Sequence, residues 1–275
     1  MLDLENCIGL GVAGNFANHL EQAGEASDFI NVEVEEENAP KGIFPFYLKD
    51  SNTFLATFPI SNDKIIPPKN DANLHMEPEL ALLCEISYND TNISNITPIK
   101  FAAFNDCTIR KDGASKISEK KNWGKASKGI SSTFINIDKF DNGGVLDNYR
   151  IASFLRRGEQ FEVYGVDSPV LGYNYFYSKL KNWIINKLNT QKDENPLEDI
   201  NSYLNTLKKP KYALLSVGAT SYTKFGESGF LKSGDKVYIF IYDATKYEKQ
   251  EILEFARNDD IQSKEAISLL CQNVI

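Results

Sequence analysis

Two glutamates stand at the entrance of an apolar run. Glu77 and Glu79 are two positions apart, and Glu79 is followed directly by the apolar residues 80–84. In an extended chain, side chains at positions i and i+2 point to the same face, so these carboxylates repel each other unless a cation lies between them. A carboxylate at the edge of a core is costly unless it is paired or bound to a metal. The spacing therefore indicates a cation site.

A third acid follows the next apolar run. Asp106 comes directly after residues 101–105, and two carboxylates with a third oxygen ligand are typical of Mg²⁺, Mn²⁺ or Ca²⁺ sites. The chain has only 2 His and 4 Cys, and no two Cys form a CxxC pair, so zinc sites and disulfide scaffolds are disfavoured. The alternative interpretation is an ordinary acidic loop whose repulsion is screened by water.

A basic stretch lies close to Asp106 in the sequence. Residues 110–128 carry seven Lys and Arg residues, beginning with Arg110 four positions after Asp106. Within it, Lys125 stands beside Trp123 and the flexible Gly124. A cation near a metal site would orient a substrate carboxylate or stabilise a developing enolate. The alternative, which we expect for most of these lysines, is a solvated mobile loop.

A glycine pattern near the start offers a different chemistry. Gly9, Gly11 and Gly14 match GxGxxG, and Glu33 follows at about the spacing of the dinucleotide-binding fingerprint. Against this interpretation, the preceding apolar run is very short, and the chain offers no second mononucleotide-binding half. The alternative is a glycine-rich turn between a strand and a loop.

The elements that must position these residues are mainly short strands with few helices. Strands and helices do not alternate regularly, so a doubly wound α/β sheet is disfavoured and an α+β, β-rich fold is expected. The predicted strands span 29–34, 43–48, 53–59, 79–88, 99–106, 161–166, 213–218 and 236–242, and the predicted helices span 15–26, 175–188 and 196–207.

Composition is that of a globular protein with an acidic surface. The chain has 275 residues, of which 42% are hydrophobic and 25% are charged, and its net charge is −8. Non-specific binding to nucleic acid needs a basic surface, so no nucleic-acid partner is expected. The acidic N-terminus lacks the basic region of a signal peptide, and residues 7–13 are far fewer than the roughly 20 apolar residues that span a bilayer. We therefore expect a cytoplasmic protein without a membrane partner.

The motifs and their order resemble those of the fumarylacetoacetate hydrolase (FAH) superfamily. Its members carry, in order, segments similar to G-x-N-Y-x-x-H, I-x-x-P, E-x-E-L-A-V, N-D followed by an arginine, W-x-x-G-K-S-x-D, T-G-T-P and L-x-x-G-D-x-V. No single motif is specific, but the collinear set extends over residues 8–242. The matching segments are Gly14-Asn15-Phe16-Ala17-Asn18-His19, IIPP at 65–68, EPELAL at 77–82, Asn105-Asp106 with Arg110, WGKAS at 123–127, LSVGAT at 215–220 and LKSGDKV at 231–237.

The resemblance implies a fold, a cofactor and a class of reaction. The fold is a mixed β-sandwich roll with a few peripheral helices, usually in a homodimer, and the cofactor is a divalent metal, commonly Mg²⁺. The reactions are C–C bond cleavages or rearrangements of small 2-oxo or β-dicarbonyl acids, such as acylpyruvates or oxaloacetate, through a metal-held enolate. The residues implied are Glu77, Glu79 and Asp106 as metal ligands, His19 and Lys125 as catalytic residues, and Arg110, Asn15, Gly218 and Thr220 as substrate-binding residues.

The chain departs from the family pattern at three places. The glutamate that accompanies the histidine in acylpyruvate-type members is replaced by Gln22, Ala126 follows Lys125 where a serine is usual, and the T-G-T-P motif reads VGAT at 217–220. Metal binding is therefore better supported than any particular reaction. The alternatives are a non-catalytic small-acid-binding protein on the same fold and, less favoured, a dinucleotide-binding protein.

We expect one FAH-like domain over residues 1–275. Within it, residues 1–45 form an N-terminal segment and candidate lid, residues 46–250 form the β core, and residues 251–275 form a C-terminal helix.

Overall fold

The computed structural model describes residues 3–17, 19–69, 72–111 and 113–275, which form two large packed β-sheets, one two-stranded sheet and a few helices. The strands are β1 (Ile8–Ala13), β2 (Gly42–Tyr47), β3 (Ile60–Ser61), β4 (Lys64–Ile65), β5 (Asn73–His75), β6 (Pro78–Asn89), β7 (Asn92–Asn105), β8 (Thr108–Arg110), β9 (Lys128–Ile130), β10 (Ile135–Asn136), β11 (Tyr149–Arg157), β12 (Gln160–Pro169), β13 (Tyr212–Ser216), β14 (Asp235–Asp243) and β15 (Ile267–Val274). The helices are α1 (His19–Gln22), α2 (Ser118–Lys121), α3 (Tyr177–Thr190), α4 (Ile200–Thr206) and α5 (Lys249–Arg257).

The two sheets pack face to face. Within the described ranges, the large sheet has the order β2-β1-β13-β6-β7-β9-β3 with β10 beside β7, and the second sheet has the order β12-β11-β14-β15-β4. β1 runs parallel to β13, whereas β6 runs antiparallel to both of its neighbours, β13 and β7. Strands β6 and β7 contact β11, β14 and β15 of the second sheet. The fold is the β-rich α+β sandwich that the sequence predicted.

Strand β6 is buried on both faces, which explains its unbroken apolar run. Leu80 and Leu82 belong to the core between the two sheets. Ala81 points the other way, into a second core that includes Phe44 and Phe46. A strand covered on both sides needs no polar alternation. The charged residue at its start, Glu79, is therefore carried into the interior with the strand.

Most of the predicted strands and the two longer helices are confirmed. β2, β6, β7, β12, β13 and β14 overlap the predicted runs, and α3 and α4 overlap the predicted helices at 175–188 and 196–207. The predicted strand at 53–59 is wrong, because a 3₁₀ turn occupies Phe54–Ala56.

The predictions for residues 15–34 are also wrong in part. The helix predicted at 15–26 is reduced to α1, and Gly24 has a φ of 71°, a left-handed conformation that ends a helix. The strand predicted at 29–34 is absent from the described structure: Phe29 ends a 3₁₀ turn, and Ile30 is 81% exposed. Alternation of apolar residues predicts a strand only where another strand is available to pair with it, and none runs beside this segment.

The glycines of the GxGxxG pattern have a packing role. Gly9 and Gly11 lie within β1, where the rings of Phe46 and Phe44 on β2 occupy the space that their side chains would need. A Cβ at Gly9 would stand 2.2 Å from the Phe46 ring, and one at Gly11 would stand 2.2 Å from the Phe44 ring. A fingerprint glycine turn would join a strand directly to a helix. The dinucleotide-binding alternative is therefore wrong, whereas the predicted turn between a strand and a loop occurs at Gly14, which follows the end of β1 and has a φ of 72°.

Both ends of the chain contribute to the sheets. β1 lies in the large sheet between β2 and β13, so the N-terminal segment supplies a strand as well as the candidate lid. Residues 251–275, expected to be a helix, contain the end of α5 followed by β15 of the second sheet. None of the helices in the described part of the chain combines the length and the apolarity needed to cross a bilayer.

Candidate active site: a buried cluster of carboxylates and lysines

The β6–β7 hairpin brings the three predicted metal ligands together. The antiparallel register pairs Pro78 with Asn105, so Glu77 and Asp106 face each other just beyond the paired ends. The Asp106 N–H donates to the Glu77 carbonyl at 3.0 Å and fixes their spacing. Glu77, Glu79 and Asp106 are all buried, and one carboxylate oxygen of each lies within 4.8 Å of the others. By this geometry the triad could bind a metal ion.

The ammonium group of Lys121 lies among these carboxylates. Its Nζ donates to Glu77 Oε2 and to Asp106 Oδ2, both at 2.5 Å. Lys121 ends α2, is 4% exposed, and has its Nζ 5.1 Å from the centre of the Phe44 ring. Burial by itself lowers the pKa of a lysine, but the charges of Asp106 and Glu77 outweigh it and raise the pKa of Lys121. This lysine therefore carries its charge inside the protein.

A second buried lysine reaches Asp106 from β9. The Nζ of Lys128 lies 3.1 Å from Asp106 Oδ1 and donates to the Cys107 carbonyl at 2.6 Å. The same ammonium stands 5.7 Å from the centre of the Trp123 ring. Burial lowers the pKa of Lys128, and the Asp106 charge offsets only part of that effect.

The metal implied by the family resemblance has little room while these cations are in place. Both oxygens of Asp106 face a lysine, and Glu77 Oε2 accepts from Lys121 while Glu77 Oε1 accepts from Arg110 at 2.8 Å. Glu79 Oε2 accepts from the Gly218 N–H at 2.9 Å. A divalent ion could coordinate the three carboxylates together only if Lys121 left its present position.

Arg110 links the carboxylates to the N-terminal segment. Its Nη2 contacts Glu77 and its Nη1 lies 2.8 Å from Glu25 Oε1. Nε donates to His75 Nδ1 at 3.0 Å, and Nη2 also donates to the Tyr222 hydroxyl at 3.2 Å. Burial, followed by the charge of Arg110, lowers the pKa of His75 to about 3, so this imidazole is the neutral acceptor of that contact.

His19 is held in one tautomer by a backbone carbonyl. Its Nδ1 lies 3.0 Å from the Thr220 carbonyl, which can only accept, so Nδ1 carries the proton and Nε2 keeps its lone pair. Nε2 faces Glu77 Oε1 at 4.0 Å. Burial lowers the pKa of His19, which favours the neutral imidazole. The geometry is that of a general base.

Gln22, which replaces the expected glutamate, does not contact His19 in this way. It forms two hydrogen bonds with the backbone of Tyr222, at 2.9 Å and 3.2 Å, and donates to Glu227 at 2.9 Å. The Thr220 carbonyl thus orients the imidazole where a carboxylate was expected. The departure at Gln22 changes the partner of His19 without removing its orientation.

Glu79 and Asn15 have backbone partners. Burial, and then the charge of Asp106, raise the pKa of Glu79 well above its usual range. The amide of Asn15 donates to the carbonyls of Tyr175 and Val217 and accepts from the Tyr175 N–H, at 2.9–3.0 Å. Of the predicted substrate-binding residues, Gly218 therefore supports Glu79, Thr220 orients His19, and Asn15 joins two loops at the edge of the site.

Lys125 is the predicted site residue that the structure does not bring to the cluster. Its side chain is exposed and does not line the cavity around the carboxylates. Lys121 and Lys128, four residues before it and three after it, point inward instead. The prediction of Lys125 as catalytic is corrected accordingly. The turn at Gly124, with a φ of 133°, and Ala126, with a φ of 55°, separates the two inward-facing lysines.

Glu25, Lys121, Lys128, His75 and Tyr222 were missed by sequence analysis. For Lys128 the sequence gives no comparable signal, because the short run 128–130 is not conspicuously apolar and its burial is known only from the structure. Lys121 also gives no signal in the sequence, because the neighbouring Lys120 is the same residue type. Only the geometry of α2 decides which of the two side chains points toward the carboxylates.

The cluster encloses a cavity of about 30 Å³, lined by His19, Glu25, Glu77, Glu79, Asp106, Lys120, Lys121 and other residues. This volume is about that of one water molecule. It is too small for an organic acid. The segment carrying His19, Glu25 and Phe29 forms one wall, and Lys120 holds it through Asp28 at 2.5 Å.

One family model matches most of the chain. It is described as a family of unknown function (DUF5718), and the match covers residues 25–274. The chain belongs to this family. No curated protein matches its sequence.

Solved structures show which fold this DUF5718 chain has. Yeast ynq8, a fumarylacetoacetate hydrolase family protein, matches with a TM-score of 0.53 at 15% identity, covering 88% of this chain and 89% of the yeast chain. The 5-carboxymethyl-2-hydroxymuconate delta-isomerase from Mycobacterium smegmatis matches with a TM-score of 0.52 at 16% identity, covering 98% and 78%. A 2-keto-3-deoxy-D-arabinonate dehydratase matches with a TM-score of 0.50 at 14% identity, covering 97% and 72%. The resemblance to the FAH superfamily is confirmed at the level of the fold.

Proposed function

We propose that this chain is an FAH-type enzyme that cleaves or rearranges a C–C bond in a small 2-oxo or β-dicarbonyl acid. The observation that carries the proposal is the position of His19, whose unprotonated Nε2 shares one buried cavity with the cations Lys121 and Lys120 and lies 4.0 Å from Glu77. A base beside cations can remove a proton and stabilise the enolate that results. Solved structures of this fold include proteins named as an isomerase and a dehydratase, which supports an enzymatic role over a purely binding one.

The chain's own residues suffice for a proton transfer. His19 Nε2 accepts a proton from the substrate or from water, while Nδ1 keeps its own proton and donates it in a hydrogen bond to the Thr220 carbonyl. Negative charge that develops on the substrate oxygen is stabilised by the ammonium of Lys121, which the cluster keeps charged. Because the cluster is buried, this interaction is stronger than it would be in bulk water.

Arg110 is the best candidate for holding the substrate carboxylate. Its Nη1 now contacts the carboxylate of Glu25, which occupies the position that an acidic substrate would take. Entry of the substrate therefore requires that Glu25 and its segment move away. A planar guanidinium suits a carboxylate because it can donate two parallel hydrogen bonds.

The predicted Mg²⁺, with Mn²⁺ or Ca²⁺ as alternatives, would be held by Glu77, Glu79 and Asp106. When bound, such an ion polarises the carbonyl of a 2-oxo acid. It enters this site only if Lys121 leaves two of the three ligands. The proposed proton transfer is therefore assigned to the chain's own groups, and metal dependence is measured in the same assay.

The test is turnover of a panel containing an acylpyruvate, oxaloacetate and a 2-keto-3-deoxy sugar acid, each with EDTA or with Mg²⁺. We expect turnover of at least one member, and a fall in kcat of about 10²–10⁴-fold in His19→Ala. The matched control is Lys125→Ala, which changes an exposed lysine of the same loop and should retain wild-type kcat. A folded wild-type protein that is inactive on every acid, with and without metal, would contradict the proposal.

A non-catalytic acid-binding protein is the second candidate. It is favoured by the VGAT sequence at 217–220, which has fewer hydroxyl groups than the family motif. Such a protein would show a rise in Tm with a bound acid but no product. Product formation that disappears in His19→Ala excludes it.

A homodimer is part of the proposal, since the resemblance implies one. Sedimentation equilibrium of the full chain tests it, and a monomer at micromolar concentration would contradict it.

A further inference from the structure

We infer that Lys121 is a resident cation that takes the place of the divalent metal in the carboxylate cluster. Its Nζ contacts Glu77 Oε2 and Asp106 Oδ2, which belong to two of the three residues whose geometry could hold a metal ion. This inference concerns which cation occupies the site. It does not depend on the proposed catalytic function.

The charges of the cluster are balanced with Lys121 in place. Among the described residues, the four carboxylates of Glu25, Asp28, Glu77 and Asp106 are paired with the four cations Arg110, Lys120, Lys121 and Lys128. A divalent ion would bring two further positive charges into a buried site, against at most one further negative charge, that of Glu79. Without Lys121, the same ion would be matched by Glu79 and by the carboxylate that the lysine had neutralised.

The coordination sphere agrees with this charge count. A divalent ion needs free carboxylate oxygens at about 2.0–2.6 Å. Both oxygens of Asp106 and both oxygens of Glu77 already face nitrogen atoms of Lys121, Lys128 or Arg110. Among these four oxygens, Asp106 Oδ1 has no hydrogen-bond partner within the described ranges. An ion that bridged Glu77 Oε2 and Asp106 Oδ2 would compete with the ammonium of Lys121 for the same lone pairs.

The backbone around Lys121 is anchored so that its side chain points inward. The neighbouring Asn122 amide donates to the carbonyls of Phe46 and Thr57 at 2.8 Å and 2.9 Å. On the other side, Lys120 pairs with Asp28 at 2.5 Å. A buried lysine is unfavourable unless its surroundings pair it. The contacts on both sides therefore hold Lys121 in a position prepared for it.

The test is Mn²⁺ binding to the EDTA-treated full chain, measured by calorimetry and by the electron paramagnetic resonance of free Mn²⁺. The wild type is expected to bind no Mn²⁺ at the triad up to millimolar concentration. Lys121→Met keeps the length of the side chain and removes its charge, and we expect it to bind Mn²⁺ at least tenfold more tightly than the wild type. Lys125→Met is the matched control and should behave as the wild type does.

Two results would overturn the inference. One is micromolar Mn²⁺ binding to the wild type that is lost in Glu79→Gln, since the ion would then share the site with Lys121. The other is a folded Lys121→Met protein that gains no affinity, since the vacated triad would then not be a metal site. If Lys121→Met does not fold, Lys121→Gln replaces it, and the wild-type Tm decides: it should be the same with EDTA and with Mn²⁺, and a rise of several degrees with Mn²⁺ would refute the inference.

Discussion

At the scale of single residues, the environment of a side chain decides its charge. Glu198 is 3% exposed and belongs to the segment before α4. Burial raises the pKa of its carboxyl to about 7 from 4.5, while a hydrogen bond from Ser118 and the charge of Lys116 offset only part of that effect. This group is outside the carboxylate cluster, so it reports on stability alone.

The raised pKa of Glu198 predicts that this residue lowers the free energy of unfolding as the pH rises. The unfolded chain loses this proton near pH 4.5 and the folded chain near pH 7. The contribution of Glu198 to the free energy of unfolding is therefore highest below pH 4.5 and falls until about pH 7. Glu198→Gln removes the titration. We expect the free energy of unfolding of Glu198→Gln, relative to the wild type, to rise by about 1–3 kcal/mol between pH 4.5 and pH 8.

Urea unfolding at pH 5, 6.5 and 8 measures this difference. Glu194→Gln, which changes an exposed carboxylate nearby, is the control and should show no comparable trend. Parallel stability curves for the wild type and Glu198→Gln would show that the carboxyl is not destabilised by burial.

The sequence revealed the carboxylates of the site more readily than its cations. Glu77, Glu79 and Asp106 could be predicted because each adjoins an apolar run, where a charge is conspicuous. Lys121 could not, because it lies in a lysine-rich stretch and only a short helix turns it inward. Lys125 resembled the family motif, but the chain turns at Gly124 and Ala126 and leaves it in solvent.

At the scale of elements, the contact between β1 and β2 depends on glycines. Gly11→Ala would place a Cβ 2.2 Å from the Phe44 ring, and the ring is buried and cannot move freely. We expect a loss of about 1–3 kcal/mol in the free energy of unfolding, measured by urea denaturation. Gly172→Ala is the control, since its Cβ would meet Phe16 at an ordinary 3.4 Å and should change stability by less than about 1 kcal/mol. The double variant Gly11→Ala/Phe44→Leu should recover part of the loss, and its failure to do so would contradict a clash with this ring.

The segment from His19 to Phe29 is the element that we propose opens to admit a substrate. Lys120 forms ion pairs with two carboxylates of this segment, Asp28 at 2.5 Å and Glu25 at 3.4 Å. Lys120→Met should weaken this fastening and raise the hydrogen-exchange rate of the backbone amides at 19–29 by about two- to fivefold. Lys116→Met is the matched control, because Lys116 pairs with Asp193 instead. Equal exchange rates at 19–29 in the Lys120→Met protein and the wild type would show that these ion pairs do not hold the segment.

Long buried strands could be predicted from the sequence, whereas this segment could not. β6 and β7 have apolar runs that only a strand in the interior accommodates. Residues 29–34 have the alternation of a strand, yet they pair with none of the described strands. The helix predicted at 15–26 ends early at Gly24, whose positive φ depends on tertiary context.

At the scale of the whole molecule, the second sheet supports the site on the first. Gln272 of β15 accepts from the Asn105 side chain at 3.1 Å, and Asn105 in turn accepts from the Glu77 N–H at 3.1 Å. Gln272 also donates to the Lys64 carbonyl at 2.9 Å. A buried amide thus connects β15 with the end of β7 and with Glu77.

Gln272→Leu should therefore disturb both stability and the site. Removing this partner leaves buried polar groups unsatisfied, which we expect to lower the free energy of unfolding by about 1–3 kcal/mol. Asn273→Leu is the control, because Asn273 is the exposed neighbour on the same strand. Circular dichroism during urea denaturation measures the loss. An unchanged midpoint in Gln272→Leu would mean that Gln272 does not brace the hairpin.

The overall architecture could be predicted from the sequence because its signals are spread along the whole chain. Motifs matching one family occur in order from Gly14 to Val237, so local departures such as Gln22 did not obscure the fold. The pairing of β15 with β14, and its role behind the site, could not be predicted, since Gln272 carries no motif and its partner Asn105 lies far away in sequence.

The ammonium of Lys121 between two carboxylates has a consequence for how the protein would depend on the supply of metal ions in a cell. A site whose cation is encoded in the polypeptide does not compete with other proteins for scarce metal ions. It is also insensitive to chelators and cannot be loaded with the wrong ion. The same feature removes a means of adjustment, since the size and charge of the cation are fixed by the gene and can change only by mutation.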